Sequence, residues 1–122
     1  MDERRQVPRW QIQQKARVKI GQQGEFVDCV IEDLGFKGLC ISLSKQLPPQ
    51  DQLRVFLDFP EQLHLDVGVS IPWSRQEQGR YVYGMSFNTI MDENKEGIYQ
   101  YLSHNFPKQF QKKWWQEGGS EQ

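Results

Sequence analysis

The feature that most constrains the fold is a two-residue alternation of apolar and polar side chains from Leu63 to Trp73. In this segment, LHLDVGVSIPW, every second residue is apolar. Successive side chains of a β-strand point to opposite faces, so this period indicates a half-buried strand and argues against a helix. Shorter segments alternate in the same way, and their strands are predicted to start at these residues: Lys15, Phe26, Leu39, Leu53 and Arg80. The sequence therefore predicts an all-β domain of roughly six short antiparallel strands.

Strands of this kind must protect their edges from pairing with other chains. Closing into a small barrel does so, although the strand pattern alone fits a sandwich of two sheets as well. The segment SRQEQGR is predicted to turn the chain before the last strand, with Gly79 at the tip of the turn. With 122 residues, the chain can bury one core without a disulfide or a structural metal.

After the last strand the apolar period changes to that of a helix. Ile98, Tyr101 and Leu102 share one helical face. Asp92 is the predicted N-cap, and Pro107 is predicted to end the helix. These signals predict one C-terminal α-helix, which covers an open end or a face of the barrel.

The chain divides into three predicted parts. Residues 1–12 form a flexible basic arm, residues 13–106 the barrel and its helix, and residues 107–122 a partly disordered tail. The tail contains Trp114 and Trp115 beside two lysines. Two interpretations remain open for this pair: one indole packs on the barrel or the helix, or the pair is a docking element for a protein partner.

Charge is distributed unevenly along the chain. The net charge is −1, which disfavours a protein that coats DNA or RNA. The first twenty residues nevertheless contain six cationic side chains and two carboxylates. A basic end on an acidic body favours the capture of a small anion, and a solvated basic tail is the alternative interpretation.

Neither the cysteines nor the histidines suggest chemistry. Cys29 is predicted to face inward and Cys40 outward on one hairpin, which disfavours a disulfide between them. His64 is predicted on the outer face of its strand, and His104 at the end of the helix. No catalytic or metal-binding motif is present, so neither an enzyme nor a cofactor is expected. The start of the sequence has no apolar run, so a cytoplasmic protein without membrane insertion is expected.

Binding residues are suggested first by the N-terminal arginines. Arg5 and Arg9 frame the segment RQVPR, and Arg4 directly precedes it. Pro8 disfavours helical geometry at Val7, so the arm is predicted to be extended. A guanidinium group pairs with phosphate through two hydrogen bonds and also stacks on a base, which suits these arginines to an anionic nucleotide.

The segment DLGFKG, from Asp33 to Gly38, is the second candidate. Asp33 has two carboxylate oxygens that can accept hydrogen bonds from the N1–H and N2–H₂ groups of guanine. Gly35 and Gly38 lack Cβ atoms, so a base or a phosphate can approach their backbone closely. The alternative interpretation is a hairpin connection that needs glycine for its own conformation.

Taken together, these motifs resemble the PilZ family. The resemblance rests on the RxxxR of Arg5 and Arg9 before the first strand, on the loop from Asp33 to Gly38, and on a YxxGxxF-like last strand (Tyr81, Gly84, Phe87) followed by a helix. It covers approximately residues 4–106 and implies a six-stranded PilZ-type barrel that binds the bacterial second messenger cyclic di-GMP.

The resemblance also implies roles for individual residues. Arg5 and Arg9, assisted by Arg4, would hold the phosphates and the Hoogsteen edge of guanine, and Asp33 would bind its other edge. Gly35 stands where the family pattern has serine, so one hydrogen bond of about 1 kcal/mol is lost and binding is expected to be weaker. Trp73 occupies a position where the family often has an aromatic residue near the ligand. Its alternation places it in the core, and a ring at the floor of the site is the alternative.

Several functions compete on this evidence. The leading prediction is a cyclic di-GMP receptor whose arm folds onto the barrel and relays binding to a protein partner. The alternative is a PilZ-like adaptor that contacts proteins without binding nucleotide, which the glycine at position 35 favours. A single-stranded nucleic acid binder is disfavoured by the acidic body, and an enzyme by the absence of catalytic motifs.

Overall fold

The structure is a computed structural model that describes residues 9–22, 24–48 and 52–110. Six strands and one helix follow each other along the chain: β1 (Trp10–Ile20), β2 (Val27–Leu34), β3 (Gly38–Leu43), β4 (Gln52–Phe59), β5 (Leu63–Glu77), β6 (Arg80–Thr89) and α1 (Asp92–Asn105). All strand pairs are antiparallel, and they close a barrel in the order β1-β2-β3-β6-β5-β4. The predicted six-stranded barrel with one C-terminal helix is confirmed.

Closure depends on two pairings that are not between consecutive strands. β3 pairs with β6, and β1 returns to pair with β4, so each of the six described strands pairs with two neighbours. The alternating apolar residues then point into the barrel and form one core. Its largest fully buried side chains belong to these residues: Trp10, Phe59, Ile31, Leu34, Leu39, Ile41, Leu43, Leu57, Leu65, Met85, Ile98 and Leu102.

The first strand begins earlier than predicted. It starts at Trp10, not at Lys15, and Trp10 pairs with Leu34 of β2. Trp10 and Ile12 are buried because they continue the inward-facing period of β1. Residues 10–12 of the predicted arm therefore belong to the barrel wall. Residues 1–8, which include Arg4 and Arg5, lie outside the described residues.

The turn between β5 and β6 is shorter than predicted. Strand β5 continues through Glu77, so most of the segment SRQEQGR is strand and not turn. Gln78 and Gly79 make the reversal with φ values of 53° and 78°. Two residues with positive φ match the right-handed twist of a hairpin, and Gly79 lies at the tip as predicted.

The helix covers the core with the predicted face. Ile98, Tyr101 and Leu102 are buried, whereas the N-cap is Met91 and not Asp92. Met91 makes no side-chain capping bond. Asp92 instead lies in the first turn, where its charge favours the positive end of the helix dipole. None of the helices among the described residues is long and apolar enough to cross a membrane.

Part of the predicted tail packs against the barrel. After α1 ends, the Phe110 amide donates a hydrogen bond to the Phe106 carbonyl at 2.8 Å. The Phe110 ring stacks on Trp10 with 5.4 Å between ring centroids, and Phe110 is buried. The described chain therefore ends on an aromatic contact with the start of β1. Trp114 and Trp115 lie outside the described residues.

Candidate ligand-binding site

A polar recess of about 360 Å³ opens on the outer surface of the barrel. It crosses β1, β2, β3, β6 and β5, so its walls come from strands that are far apart in sequence. Its lining consists of the following residues: Gln11, Glu32, Asp33, Cys40, Trp73, Arg75, Glu77 and Val82. We call this feature the recess. Two of the residues predicted to bind ligand, Asp33 and Trp73, line it.

Asp33 faces outward because β2 contains a bulge. Between Ile31 and Asp33 the strand advances two residues while β3 advances one, from Ile41 to Cys40. In a regular strand Ile31 and Asp33 would face the same side, because they are two positions apart. The extra residue reverses the alternation, so Ile31 points into the core and Asp33 faces outward. The bulge therefore turns a carboxylate outward that regular alternation would have buried.

A second bulge turns Trp73 outward. Between Ser70 and Trp73, β5 advances three residues while β6 advances two, from Ser86 to Gly84. Trp73 is 43% exposed, so the prediction that it belongs to the core is wrong. The bulge breaks the alternation between Val69, which faces inward, and Trp73. Pro72 suits the bulge because proline has no N–H group to donate to a regular strand ladder.

Gly84 makes room for the indole. A Cβ atom built on Gly84 would lie 2.3 Å from Cε2 and Nε1 of Trp73. A side chain at position 84 would therefore displace the indole from the position that it occupies. The glycine of the YxxGxxF-like motif thus has a packing role in the recess that the sequence alone did not reveal.

Arg9 and Asp33 form the charged contact at the margin of the recess. Arg9 directly precedes β1, and its Nη1 atom lies 2.5 Å from Asp33 Oδ1. Trp10 is fully buried next to it, which fixes the backbone from which Arg9 extends. The two side chains remain 37% and 21% exposed, so both are accessible to a ligand.

The two glycines of the connecting loop have different surroundings. A Cβ on Gly38 would lie 2.2 Å from the Met85 carbonyl oxygen, so glycine is required there for the pairing of β3 with β6. This contact supports the hairpin interpretation for Gly38. The Gly35 amide donates to the Gly38 carbonyl at 2.9 Å, and Gly35 is not among the described residues with positive φ.

Arg75 and Glu77 line the recess but were not identified from the sequence. The Arg75 guanidinium carbon lies 5.1 Å from the centre of the Trp73 ring, within cation–π distance. Its Nε donates to Glu77 Oε2 at 3.1 Å. The sequence does not identify these two residues because the segment from Ser74 to Arg80 is predicted to be a turn. Because the segment is a strand, the two-residue spacing places Trp73, Arg75 and Glu77 on one face.

Carboxylates on β2 complete the electrostatics of the recess. Ser42 donates from its hydroxyl to Glu32 Oε2 at 2.8 Å, and this contact helps to bury the outer face of β3. Cys40, predicted to face outward, is also buried between these neighbours. Burial, followed by the charges of Asp33 and Glu32, raises the pKa of the Cys40 thiol to about 11. The thiol is therefore neutral at physiological pH and is a poor nucleophile.

The remaining titratable candidates lie elsewhere. His64 is exposed on β5, where its Nδ1 lies 2.8 Å from Asp58 Oδ1, and His104 is exposed at the end of α1. In the described part of the chain, no group of histidine, cysteine and acidic residues could hold a metal ion. Cys29 and Cys40 are both free thiols, as predicted.

Comparison with known families assigns the fold. The family model for the PilZ domain matches residues 3–104 of the chain. The chain therefore belongs to the PilZ family, and the resemblance seen in its motifs is confirmed. No curated protein sequence matches the chain.

Solved structures with the same fold come from several bacteria. MotI/DgrA, an inhibitor of motility from Bacillus subtilis, has 16% identity and a TM-score of 0.67, covering 88% of this chain and 53% of its own. The PilZ domain of YcgR from Escherichia coli, solved with c-di-GMP, has 10% identity and a TM-score of 0.66, covering 91% and 97%. The PilZ domain of CeSA from a cellulose-synthesizing bacterium has 16% identity and a TM-score of 0.55, covering 76% and 92%. The chain thus spans about half the length of MotI/DgrA.

Proposed function

We propose that this chain is a cyclic di-GMP receptor and that the nucleotide binds in the recess. The observation that supports this most is the meeting of Arg9, Asp33 and Trp73 at one surface. These residues provide a guanidinium group for a phosphate, a carboxylate for the guanine edge and an aromatic face for the base. The YcgR domain, which has the same fold, was solved with this nucleotide.

The proposed contacts follow from the chemistry of each group. Asp33 accepts hydrogen bonds from guanine N1–H and N2–H₂, and Arg9 exchanges part of its contact with Asp33 for a phosphate oxygen. Arg4 and Arg5, which lie within residues 1–8, add further contacts to the phosphates. The backbone of Gly35 is approached closely by the ligand, and Gly38 contributes by keeping the loop against β6. Trp73, which extends from β5, stacks on a base.

Arg75 is the additional cation that the recess offers to an anionic ligand. In the structure Glu77 holds it through two nitrogen–oxygen contacts of 3.1 and 3.4 Å. A phosphate competes with Glu77 for the same guanidinium group, because both are anions that pair with its planar fork. Glu77 therefore weakens nucleotide binding, and Arg75 strengthens it once its guanidinium group leaves Glu77.

The relay that we propose uses the N-terminal arm. Arg9 joins the arm to β1 directly at the margin of the recess, so a ligand held by Arg4, Arg5 and Arg9 draws residues 1–8 onto the barrel. The newly formed surface is then recognised by a protein partner. This function is one of binding in the cytoplasm and requires neither catalysis nor a cofactor.

Isothermal titration calorimetry with cyclic di-GMP tests the proposal. Cyclic di-AMP is the matched control ligand, because it retains both phosphates but lacks the N1–H and N2–H₂ edge that Asp33 is proposed to bind. We expect saturable binding of cyclic di-GMP and much weaker binding of cyclic di-AMP. An absence of binding by the folded protein would contradict the receptor function, and equal binding of both would contradict the role of Asp33.

A second candidate function is a protein-binding adaptor that does not bind nucleotide. Two observations favour it: Gly35 lacks the hydroxyl of the family pattern, and three carboxylates (Glu32, Asp33 and Glu77) face the recess. The adaptor is supported if neither the natural protein nor Gly35→Ser binds cyclic di-GMP while both remain folded. Binding by either protein favours the receptor.

A further inference from the structure

A second and larger hollow lies between α1 and the loop that connects β2 and β3. Its volume is about 710 Å³, within the range of roughly 300–1,000 Å³ that is usual for ligand pockets. Phe36, Phe87, Ile90 and Tyr99 provide its apolar lining. We call this feature the helix groove. It shares no lining residue with the recess, so nucleotide binding as proposed above does not explain it.

The described chain ends beside this groove. Phe110 is buried, and its ring centroid lies 5.4 Å from that of Trp10 and 5.2 Å from that of Tyr99. Tyr99 also lines the groove, so a single side chain connects the two features. Residues 111–122 therefore begin at the margin of the groove, with their starting point fixed by a buried aromatic residue.

We propose that the helix groove is the docking site for the C-terminal segment of the same chain, residues 111–122, and that an indole of this segment fills it. Trp114 and Trp115 follow Phe110 by four and five residues, which span at most about 13–18 Å. An indole buries roughly 150–250 Å² and suits a groove lined by three aromatic rings and one isoleucine. Either tryptophan is within reach of the groove.

Two carboxylates at the rim can pair with the lysines of the same occupant. Asp92 and Glu96 on α1 border the groove, and Lys112 and Lys113 directly precede the two tryptophans. Lys95 on α1 and Lys37 on the loop border it as well, so the rim has two carboxylates and two lysines. Asp92 and Glu96 can therefore each pair with Lys112 or Lys113 as the indole enters the apolar centre.

The connection to the barrel favours this segment over a second copy or a foreign partner. A segment tethered a few residues away has an effective concentration in the millimolar range, which exceeds the usual concentration of a free partner. Binding of a second copy must also offset the loss of translational and rotational freedom. The tethered segment has already lost most of this freedom because it is part of the same chain.

Methyl NMR on the full chain tests the proposal directly. In the natural protein we expect nuclear Overhauser effects between the Ile90 methyl groups and the indole protons of Trp114 or Trp115. Trp114→Ala or Trp115→Ala should shift the Ile90 methyl resonance, since the ring current of the docked indole is lost. The Ile71 methyl resonance, from β5, is the internal control and should not move in either variant.

The alternatives give different results. If both variants leave the Ile90 resonance unchanged and no indole contact is seen in the natural protein, the groove is not the docking site of this segment. If the contact appears only between differently labelled chains, a second copy is the occupant and the proposal is wrong. The measurement in the natural protein holds even if a variant fails to fold.

Discussion

Three arginine–aspartate pairs lie on the outside of the described barrel, and only Arg9–Asp33 borders the recess; Arg17–Asp58 and Arg54–Asp66 do not. Arg9–Asp33 and Arg17–Asp58 have the same nitrogen–oxygen distance of 2.5 Å. The Asp58 side chain is 10% exposed, and His64 lies 2.8 Å from its second oxygen. The Asp33 side chain is 21% exposed and opens on the recess. The same pair of residue types thus has two different surroundings.

The difference comes from the regularity of the strands beneath each pair. β1 and β4 pair around Arg17 and Asp58 without a register shift, and β4 with β5 likewise. Around Asp33 and Trp73, bulges in β2 and β5 redirect single side chains to the outer face. The recess therefore follows the irregular strands, and an arginine–aspartate pair alone does not produce one.

The largest expected effect distinguishes the two arginines. Arg9→Ala should weaken cyclic di-GMP binding by about tenfold to a hundredfold, because a charge-assisted hydrogen bond contributes roughly 1.5–3 kcal/mol. Arg17→Ala is the matched control, since it removes the same side chain from the Arg17–Asp58 pair. Calorimetry should show unchanged affinity for Arg17→Ala. Equal losses in both variants would mean that net charge, and not the recess, controls binding.

The second effect tests the outward position of Trp73. Gly84→Ala places a methyl group against the indole, so the ring must move, and cyclic di-GMP affinity should fall by roughly tenfold, as expected for a lost stacking contact of about 1–3 kcal/mol. Gly68→Ala is the control in the neighbouring strand, where the nearest atom to a new Cβ lies at 3.7 Å. If Gly84→Ala changes the fluorescence of the Trp73 indole but leaves the affinity unchanged, Trp73 is not part of the proposed site.

The third effect is a gain of up to about tenfold. Gly35→Ser restores a hydroxyl that can form one neutral hydrogen bond, worth about 1 kcal/mol. Gly35 has no positive φ, so its backbone conformation does not itself oppose serine. Gly35→Ala adds carbon without the hydroxyl and separates the bond from the added bulk. Melting temperatures measured alongside should be equal, and a lower value for Gly35→Ser would indicate strain in the loop.

The smallest effect concerns the partner of Arg75. Glu77→Gln frees the guanidinium group and should tighten cyclic di-GMP binding roughly two- to fivefold at low salt, the range of an exposed ion pair. Glu61→Gln removes the same charge from an exposed turn and is expected to leave binding nearly unchanged. The difference between the two variants should shrink as salt is added. If both tighten binding equally, Glu77 acts only through the net charge.

Much of the fold could be predicted because its alternation is local. The barrel strands follow a two-residue period, and the buried face of α1 follows the helical period through Ile98 and Leu102. The early start of β1 at Trp10 was missed because Pro8 and the neighbouring charges suggested an extended arm. The N-cap was misplaced by one residue, since Asp92 provides charge to the first turn without a capping bond.

The site was less predictable because bulges depend on pairing between strands. Nothing within SIPW shows that β5 advances three residues while β6 advances two. Trp73 was therefore assigned to the core, and Arg75 and Glu77 to a turn. Asp33 was identified from the chemistry of guanine and not from its orientation. Of the residues predicted to bind ligand, Arg9, Asp33 and Trp73 come together, Gly35 and Gly38 lie in the adjoining loop, and Arg4 and Arg5 stay predictions.

In the proposed complex the ligand occupies the recess formed by the bulged strands and not the surface around Arg17 and Asp58. Amide and indole NMR resonances followed during titration with cyclic di-GMP test it most directly. We predict that the Trp73 indole and the Asp33 and Gly35 amides shift, while the Arg17 and Asp58 amides do not. Shifts centred on Asp58 would place the ligand outside the recess, and no shifts at saturating ligand would rule out binding.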